Sequence, residues 1–265
     1  MKFGLSTWSL LHQDVYSAVH MIGDAGFEYI ELWGEVPHAF PGWVDTKRLR
    51  DSLSSYTMYL TTHAPFTELN PASPFQPVRG AVERTLDDFV SFSADLGASM
   101  VTVHPGSVHS EDLVPQSVHS CIGMLRRMIR TAGGRLSINV ENQTRSHGDY
   151  HFPLASTTES LELILAEVEG LRFTLDTGHA HVNGQSPLEL ASRFGSKLAE
   201  VHLSDNLGTT DTHQIPGEGN APLRELLDKL TIGNLPVCLE IDPHRYTEDQ
   251  VIGAAVRMKD TLRGS

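Results

Sequence analysis

The chain has 265 residues, of which 40% are hydrophobic, and its 33 acidic and 20 basic side chains give a formal net charge of −13. This length suits one (β/α) barrel domain with a large core, and no apolar run is long enough to span a bilayer. The acidic balance argues against a nucleic-acid partner, because affinity for nucleic acids comes largely from basic side chains that neutralise phosphates.

Strand-like and helical patterns alternate along the whole chain. The strands are predicted at residues 2–7, 29–33, 58–63, 100–104, 136–141, 171–176, 199–203 and 237–241. The helices are predicted at residues 15–25, 46–55, 77–96, 115–132, 157–167, 187–194, 221–229 and 247–262. Strict alternation is typical of parallel β-structure, and eight units favour closure into a barrel. We therefore predict a single-domain α/β fold over residues 1–265, a (β/α)8 TIM barrel.

Imidazole and carboxylate side chains end six of the predicted strands. These residues are His63, His104, Glu141, Asp176, His202 and Glu240. Because the carboxyl ends of parallel barrel strands meet at one face, we expect the six side chains to converge there. Three further candidate ligands follow the sixth and seventh strands in the sequence, namely His179, Asp211 and His213. The pattern therefore predicts a site for divalent metal ions.

The types of ligand narrow the choice of metal. Imidazole with carboxylate and no thiolate suits Zn²⁺, Mn²⁺, Fe²⁺ or Co²⁺, whereas Mg²⁺ and Ca²⁺ rarely use histidine. We expect a divalent metal, with Zn²⁺ and Mn²⁺ as the leading candidates. Nine ligands exceed the needs of one ion, so the site either holds up to three ions or uses some of these residues to contact substrate.

Small or polar residues share the predicted inner face of the strands with these ligands. Stepping back two residues from each strand-end ligand keeps the same face of the strand. The residues found there are Thr61, Thr102, Asn139, Thr174, Glu200 and Cys238. Barrel interiors usually contain bulky branched residues. We interpret the polar layer as support that orients the metal ligands; the alternative is that the hydroxyls only bond among themselves.

Seven short motifs of the chain resemble those of the xylose isomerase-like barrel superfamily. They are THAPF, VTVHPG, VEN, LDTGHA, VHLSDN, DTHQIPGEG and CLEI. The resemblance spans about residues 1–260. This superfamily contains isomerases and epimerases of sugars and sugar phosphates, inosose dehydratase-like enzymes and apurinic endonucleases of the endonuclease IV type.

The resemblance implies different roles for the ligands in its two main branches. In the ketose 3-epimerase branch, residues resembling Glu141, Asp176, His202 and Glu240 hold one divalent ion. The two glutamates of that branch are catalytic and exchange the substrate proton, and a residue at the position of His179 contacts substrate. In the endonuclease branch, all nine positions resemble the ligands of a three-zinc cluster.

The sequence favours the sugar-acting branch. Thr212 precedes His213, where the endonuclease motif has an Arg-His pair, and no Arg-rich or Lys-rich insertion follows the strands. We therefore expect a divalent-metal-dependent isomerase or epimerase of a small sugar, sugar phosphate or polyol-derived ketone, which transfers a proton by glutamate through a metal-stabilised enediolate. The alternatives are a multi-zinc phosphodiesterase of the endonuclease IV type, an inosose dehydratase-type enzyme, and a non-catalytic binding barrel with a structural metal.

Residues near the strand ends are candidates for contacts with this substrate. Trp8 and Trp33 are predicted to form apolar walls, and Glu31 is predicted to hydrogen-bond the substrate. Arg145 and Arg245 are the candidates for an anionic group. Residues 35–44 and 70–77 read as loops that cover the site or join copies of the chain.

The expected partner is therefore a small sugar or polyol, with no nucleic acid and no membrane, and a homo-oligomer stays open. The N-terminal segment MKFGLSTWSL lacks the pattern of a secretion signal. Cys121 and Cys238 are too few for a disulfide framework. From both observations we expect a cytoplasmic location.

Overall fold

A closed barrel of eight parallel strands forms the centre of the molecule. The computed structural model describes residues 2–145, 151–230 and 235–263; residues 1, 146–150, 231–234 and 264–265 of the predicted domain lie outside this part. The strands are β1 (Lys2–Ser6), β2 (Tyr29–Trp33), β3 (Tyr59–His63), β4 (Met100–Val103), β5 (Ser107–Val108), β6 (Ser137–Glu141), β7 (Phe152–Pro153), β8 (Arg172–Asp176), β9 (Leu198–Leu203) and β10 (Pro236–Leu239). The barrel order is β1-β10-β9-β8-β6-β4-β3-β2, which confirms the predicted fold.

Helices cover the outside of the barrel. They are α1 (Val15–Asp24), α2 (Thr46–Ser54), α3 (Gln76–Leu96), α4 (Val114–Ala132), α5 (Thr158–Glu167), α6 (Thr177–Val182), α7 (Pro187–Arg193), α8 (Leu223–Leu230) and α9 (Glu248–Arg263). The predicted strands and helices are all present, with ends within two residues of the expected positions. Across the described ranges, every helix is too short or too polar to cross a bilayer.

Local capping chemistry explains where several helices begin and end. The Asp14 carboxylate accepts hydrogen bonds from the amides of Tyr16 and Ser17, both at 3.0 Å, at the start of α1. Helices α3 and α4 end at Gly97 and Gly133, whose φ angles of 85° and 59° are left-handed. Glycine adopts this conformation without steric penalty, so both helices stop where the sequence changes to glycine.

One short helix and one two-stranded ribbon were not expected from the sequence. The short helix α6 begins directly after β8, and β5 pairs with β7 in a separate antiparallel ribbon beside the barrel. The helix forms because Asp176, the last residue of β8, accepts a hydrogen bond from the His179 amide at 2.6 Å and so acts as its N-cap. Both elements lie at the carboxyl end of the barrel, where the candidate ligands are.

The predicted polar layer is present inside the barrel and surrounds one buried carboxylate. All six residues of the layer are fully buried. The Glu200 side chain accepts hydrogen bonds from Thr102 at 2.7 Å and Thr174 at 3.3 Å, and also from Tyr29. A carboxylate buried in a barrel is tolerated when hydroxyl donors satisfy it. The hydroxyls therefore do bond within the barrel, and they do so around an acid that lies directly below the ligands.

Replacing Thr102 with valine should destabilise the protein, because the change keeps the shape but removes one of the hydroxyl donors to the buried Glu200 carboxylate. We expect a loss of about 1–3 kcal/mol in the free energy of unfolding, measured by urea denaturation. Thr85→Val, on the outer helix α3, is the matched control. Equal stability changes in the two variants would contradict the supporting role of the hydroxyl.

Candidate metal centre

The nine candidate ligands come together at the carboxyl end of the barrel. A cavity of about 310 Å³ opens there. Seven of the nine line it, namely His63, His104, Glu141, His179, Asp211, His213 and Glu240. Asp176 and His202 are fully buried, and donor atoms of both lie within 4.8 Å of those of Glu141 and Glu240. The strand-end pattern thus brings the predicted residues into one site.

Glu141, Asp176, His202 and Glu240 form a compact group that we call the quartet. Each comes from a different strand end, and their donor atoms lie within 4.8 Å of one another. The His202 Nδ1 atom is 3.5 Å from Glu141 Oε1 and 3.4 Å from Glu240 Oε2. One nitrogen and several carboxylate oxygens that face a common point are a donor set that divalent cations accept.

Unsatisfied buried atoms support this interpretation of the quartet. Among the described residues, His202 Nδ1 and Asp176 Oδ2 have no hydrogen-bond partner although both are buried. Burial also raises the pKa of Asp176 to about 6. Buried polar atoms normally have a partner, and a cation bound between these atoms would supply one for both. The residues present therefore fit a divalent metal.

Glu31 holds the other side of the His202 ring. Its Oε2 atom lies 3.2 Å from His202 Nε2, and both side chains are fully buried. A carboxylate at this nitrogen favours the proton on Nε2 and leaves Nδ1 free to bind a metal. Glu31 was predicted to contact substrate; the structure instead places it away from the cavity lining, against a quartet residue.

A second group, His179, Asp211 and His213, adjoins the quartet. Asp211 Oδ2 lies 3.1 Å from His179 Nε2 and 2.9 Å from His213 Nε2. His213 also has a left-handed φ of 38°, a backbone conformation that non-glycine residues rarely adopt. These three side chains have the chemistry and the spacing to bind an ion of their own.

Glu141 connects the quartet to the two remaining histidines. Its Oε2 atom lies 3.2 Å from His63 Nε2 and 3.1 Å from His104 Nε2, while its Oε1 atom faces His202. A carboxylate with its two oxygens in different environments can bridge two ions. The arrangement therefore has donors for one, two or three metals, as the sequence suggested.

Asp205 organises the loop that carries Asp211 and His213, a role that was not predicted from the sequence. Its carboxylate accepts hydrogen bonds from the amides of Gly217, Gly219 and Ala221 at 2.8, 3.1 and 3.0 Å. A Cβ atom added at Gly219 would collide with that carboxylate. The loop from Asp211 to Ala221 is therefore wrapped around one buried acid, which holds the segment that carries the candidate ligands Asp211 and His213.

Opposite charges compensate one another across the site. Burial would raise the pKa of Glu240, but the charge of His202 outweighs burial and holds it at about 2. Burial would lower the pKa of His213, but the neighbouring Asp211 carboxylate raises it to about 10. In both pairs the carboxylate is ionised near neutral pH, and the imidazole is in its doubly protonated, cationic form. Metal ions bind neutral imidazole, so metal binding should release these protons.

The rim of the cavity contains both expected and unexpected residues. Trp8 and Trp33 line the cavity as predicted, and the Trp8 ring centre lies 4.8 Å from that of His213. Phe66 stacks on His104 with ring centres 4.1 Å apart. Phe66 ends the THAPF motif, but its contact with the cavity was not predicted, because it lies in a loop with no regular spacing. Unpredicted Gln143 and Thr144 also border the cavity.

The two arginines predicted for an anionic group lie elsewhere. Arg145 and Arg245 are exposed, and neither belongs to the lining of this cavity. The backbone amide of Arg145 donates a hydrogen bond to Asn183 Oδ1 at 2.7 Å. Their proposed contact with substrate stays a prediction.

Comparison with known proteins supports the family resemblance. A family model described as xylose isomerase-like TIM barrel matches residues 19–261. An uncharacterized protein from Methanocaldococcus jannaschii is 30% identical over 99% of this chain and 88% of that protein. Fructoselysine 3-epimerase from Escherichia coli O157:H7 is 24% identical, covering 86% of this chain and 84% of the enzyme.

Solved structures give the same picture. A D-tagatose 3-epimerase-like protein superposes with a TM-score of 0.85 at 27% identity, covering 100% of this chain and 96% of that chain. D-allulose 3-epimerase from Methylomonas sp., in complex with D-allulose, superposes with a TM-score of 0.80 at 16% identity, covering 99% and 97% of the two chains. At that identity the second match shows a shared fold alone.

Replacing Glu31 with glutamine should weaken metal binding. The glutamine amide can donate a hydrogen bond to His202 Nε2, which would move the ring proton to Nδ1 and block the metal-binding nitrogen. We expect affinity for Mn²⁺ or Zn²⁺ to fall about 10–100-fold in isothermal titration. The exposed Glu225→Gln is the control. A folded Glu31 variant with unchanged affinity would rule out this role.

Proposed function

The chain belongs to the xylose isomerase-like TIM-barrel family, and within this family we propose that it is a divalent-metal-dependent sugar epimerase or isomerase acting beside the carbonyl group of a ketose. The main support is the quartet, in which Glu141 and Glu240 both approach His202 Nδ1 and both border the cavity. The likeness to fructoselysine 3-epimerase and to a D-tagatose 3-epimerase-like protein agrees with this proposal.

The quartet residues would hold the ion. A divalent metal bound there would act as a Lewis acid that polarises the ketose carbonyl. Carbonyl polarisation makes the proton on the adjacent carbon more acidic, so a nearby carboxylate can remove it. Glu240 suits this step because its carboxylate borders the cavity and can accept the proton when it is ionised.

Glu141 would exchange the proton on the other side of the substrate. Return of the proton to the opposite face inverts the carbon, whereas return to a neighbouring atom moves the carbonyl. His63 and His104 contact the second oxygen of Glu141 at 3.2 and 3.1 Å, which fixes its orientation. Glu141 is thus the more firmly held of the two acids, and Glu240 is expected to be the more mobile proton carrier.

The surrounding side chains would position the sugar. Trp8, Trp33 and Phe66 line the cavity, and flat aromatic surfaces pack against the C–H groups of a sugar while they displace water. His179 also borders the cavity, with its Nδ1 atom 2.7 Å from the Asn142 carbonyl oxygen. That contact orients the ring, so its Nε2 atom points to Asp211 and the cavity.

Incubation with candidate ketoses in D₂O tests the proposal directly. D-allulose, D-tagatose and fructoselysine should be offered with Mn²⁺, Co²⁺ and Zn²⁺ in turn, and NMR should show deuterium at the carbon next to the carbonyl together with a new epimer or isomer. Protein treated with chelator is the control. Absence of exchange with every metal and ketose would refute the proposal.

A phosphodiesterase of the endonuclease kind is the second candidate, because the site retains all nine ligand positions. The net charge of −13 opposes binding to a nucleic acid. A duplex with one abasic site, incubated with Zn²⁺ or Mn²⁺, separates the two functions. Robust nicking without ketose exchange would favour the nuclease. Loss of water from the substrate, detected in the D₂O experiment, would instead identify a dehydratase.

Glu240→Gln should lower proton exchange about 10²–10⁴-fold, because the amide cannot accept the substrate proton although it keeps one oxygen donor. Deuterium incorporation and bound metal should be measured on the same sample. Asp242→Asn, two residues further along the chain, controls for a nearby loss of charge. Unchanged exchange in a metal-loaded Glu240→Gln variant would remove Glu240 from the proton transfer.

A further inference from the structure

A second cavity of about 350 Å³ adjoins the candidate metal centre. Phe66, His104, Gln143 and Thr144 line both cavities, so the two spaces lie side by side along these residues. We call the second cavity the side groove. Sites for small ligands usually enclose about 300–1,000 Å³. The cavity above the quartet alone therefore reaches the lower end of this range, and the side groove offers room for a further chemical unit.

The outer wall of the side groove is fixed by hydrogen bonds between loops. Asn70 Nδ2 donates to the Ser107 carbonyl oxygen at 2.7 Å, and Asn70 Oδ1 accepts from the Ser107 amide at 3.1 Å. Ser107 also pairs with Pro153 in the small ribbon, and the Leu154 amide donates to the Gly106 carbonyl oxygen at 2.9 Å. A wall built in this way is preorganised for a ligand and loses little entropy on binding.

The lining of the side groove is polar and contains no described cationic lysine or arginine. Its polar side chains include those of Thr67, Ser107, Gln143 and Thr144, together with the carboxylate of Glu68. These groups donate and accept hydrogen bonds with hydroxyls. A phosphate here would meet Glu68 and the acids of the quartet, with only the histidines His104 and His151 and no described lysine or arginine in the lining to compensate its charge, which is unfavourable.

We propose that the side groove binds an uncharged, hydroxyl-bearing unit attached to the ketose, so that the natural substrate is an unphosphorylated, glycosylated ketose. This inference rests on the proposed function and names the substrate class for the same site. The metal-binding end would hold the carbonyl carbon and its neighbour, and the attached sugar would extend past Phe66 and Thr144 to the wall formed by Ser107. The shape and the charge of the groove both favour this class over a simple ketohexose or its phosphate.

Three related compounds test the proposal with metal-loaded protein. They are a ketohexose, the same ketohexose glucosylated on its 6-hydroxyl, and its 6-phosphate. We expect kcat/KM to be at least about tenfold higher for the glucosylated ketose than for the parent, and lower for the phosphate than for the parent. Equal or better turnover of the parent, or the highest turnover of the phosphate, would overturn the proposal.

Two variants that narrow the groove localise the effect. Thr67 lines the side groove and is exposed, so Thr67→Phe should fold normally while it occupies the space for the attached sugar. Ser107→Trp should act from the wall that Asn70 and Ser107 form, with Ser107→Ala as its control. Both narrowing variants should raise KM for the glucosylated ketose about tenfold or more and leave KM for the parent unchanged. Equal effects on both compounds would contradict a separate subsite.

Direct binding distinguishes failure of the subsite from failure of the proposed function. Isothermal titration of the metal-loaded protein should show tighter binding of the glucosylated ketose than of the parent, and Thr67→Phe should abolish the difference. If this pattern holds while no ketose exchanges its proton, the subsite stands and the proposed function is wrong. If both ketoses bind with equal affinity, the subsite is wrong whatever the catalytic result.

Discussion

The position of the His202 ring is the constraint on which the rest of the site depends. Its Nε2 atom contacts Glu31, and its Nδ1 atom lies between the oxygens of Glu141 and Glu240. A ring held on both edges presents Nδ1 to the carboxylates of the quartet in a single orientation. The Glu200 Oε2 atom lies 3.7 Å from the same Nε2 atom, and this carboxylate is itself held by hydroxyls of the barrel interior. Buried polar residues therefore extend from the candidate metal ligands into the interior of the barrel.

This arrangement makes the folded protein less stable than an apolar barrel interior would, and in return it provides the candidate metal site. Branched apolar residues would fill the barrel more favourably than Glu31 and Glu200, because each buried carboxylate must be compensated by donors or opposite charge. The hydroxyls of the polar layer provide part of that compensation as hydrogen-bond donors, and the imidazoles provide a further part as positive charge. A divalent ion would contribute the remainder where Asp176 Oδ2 and His202 Nδ1 otherwise lack partners among the described residues. The interior is thus better suited to the metal-bound protein than to the metal-free one.

Strand periodicity was sufficient to predict the barrel and the convergence of its ligands. A parallel barrel brings the ends of its strands to one face, so His63 and Glu240 could be placed together although they are far apart in the sequence. Periodicity assigns a residue to a face but not to a depth. Glu31 was therefore placed on the correct face and given the wrong neighbour. The roles of Asp205 and Phe66 depend on loop conformations, and loops have no period from which to predict them.

The ligand set by itself does not identify the reaction, because the nine positions resemble those of sugar-acting enzymes and of endonucleases alike. What separates these activities is the charge and shape of the surroundings. A nuclease must hold a polyanion. In the described part of the chain, the residues that line one or other of the two cavities include acids and no lysine or arginine. Aromatic side chains and hydroxyls in their place suit an uncharged polyol. The rim is consequently more informative about substrate than the metal ligands that it surrounds.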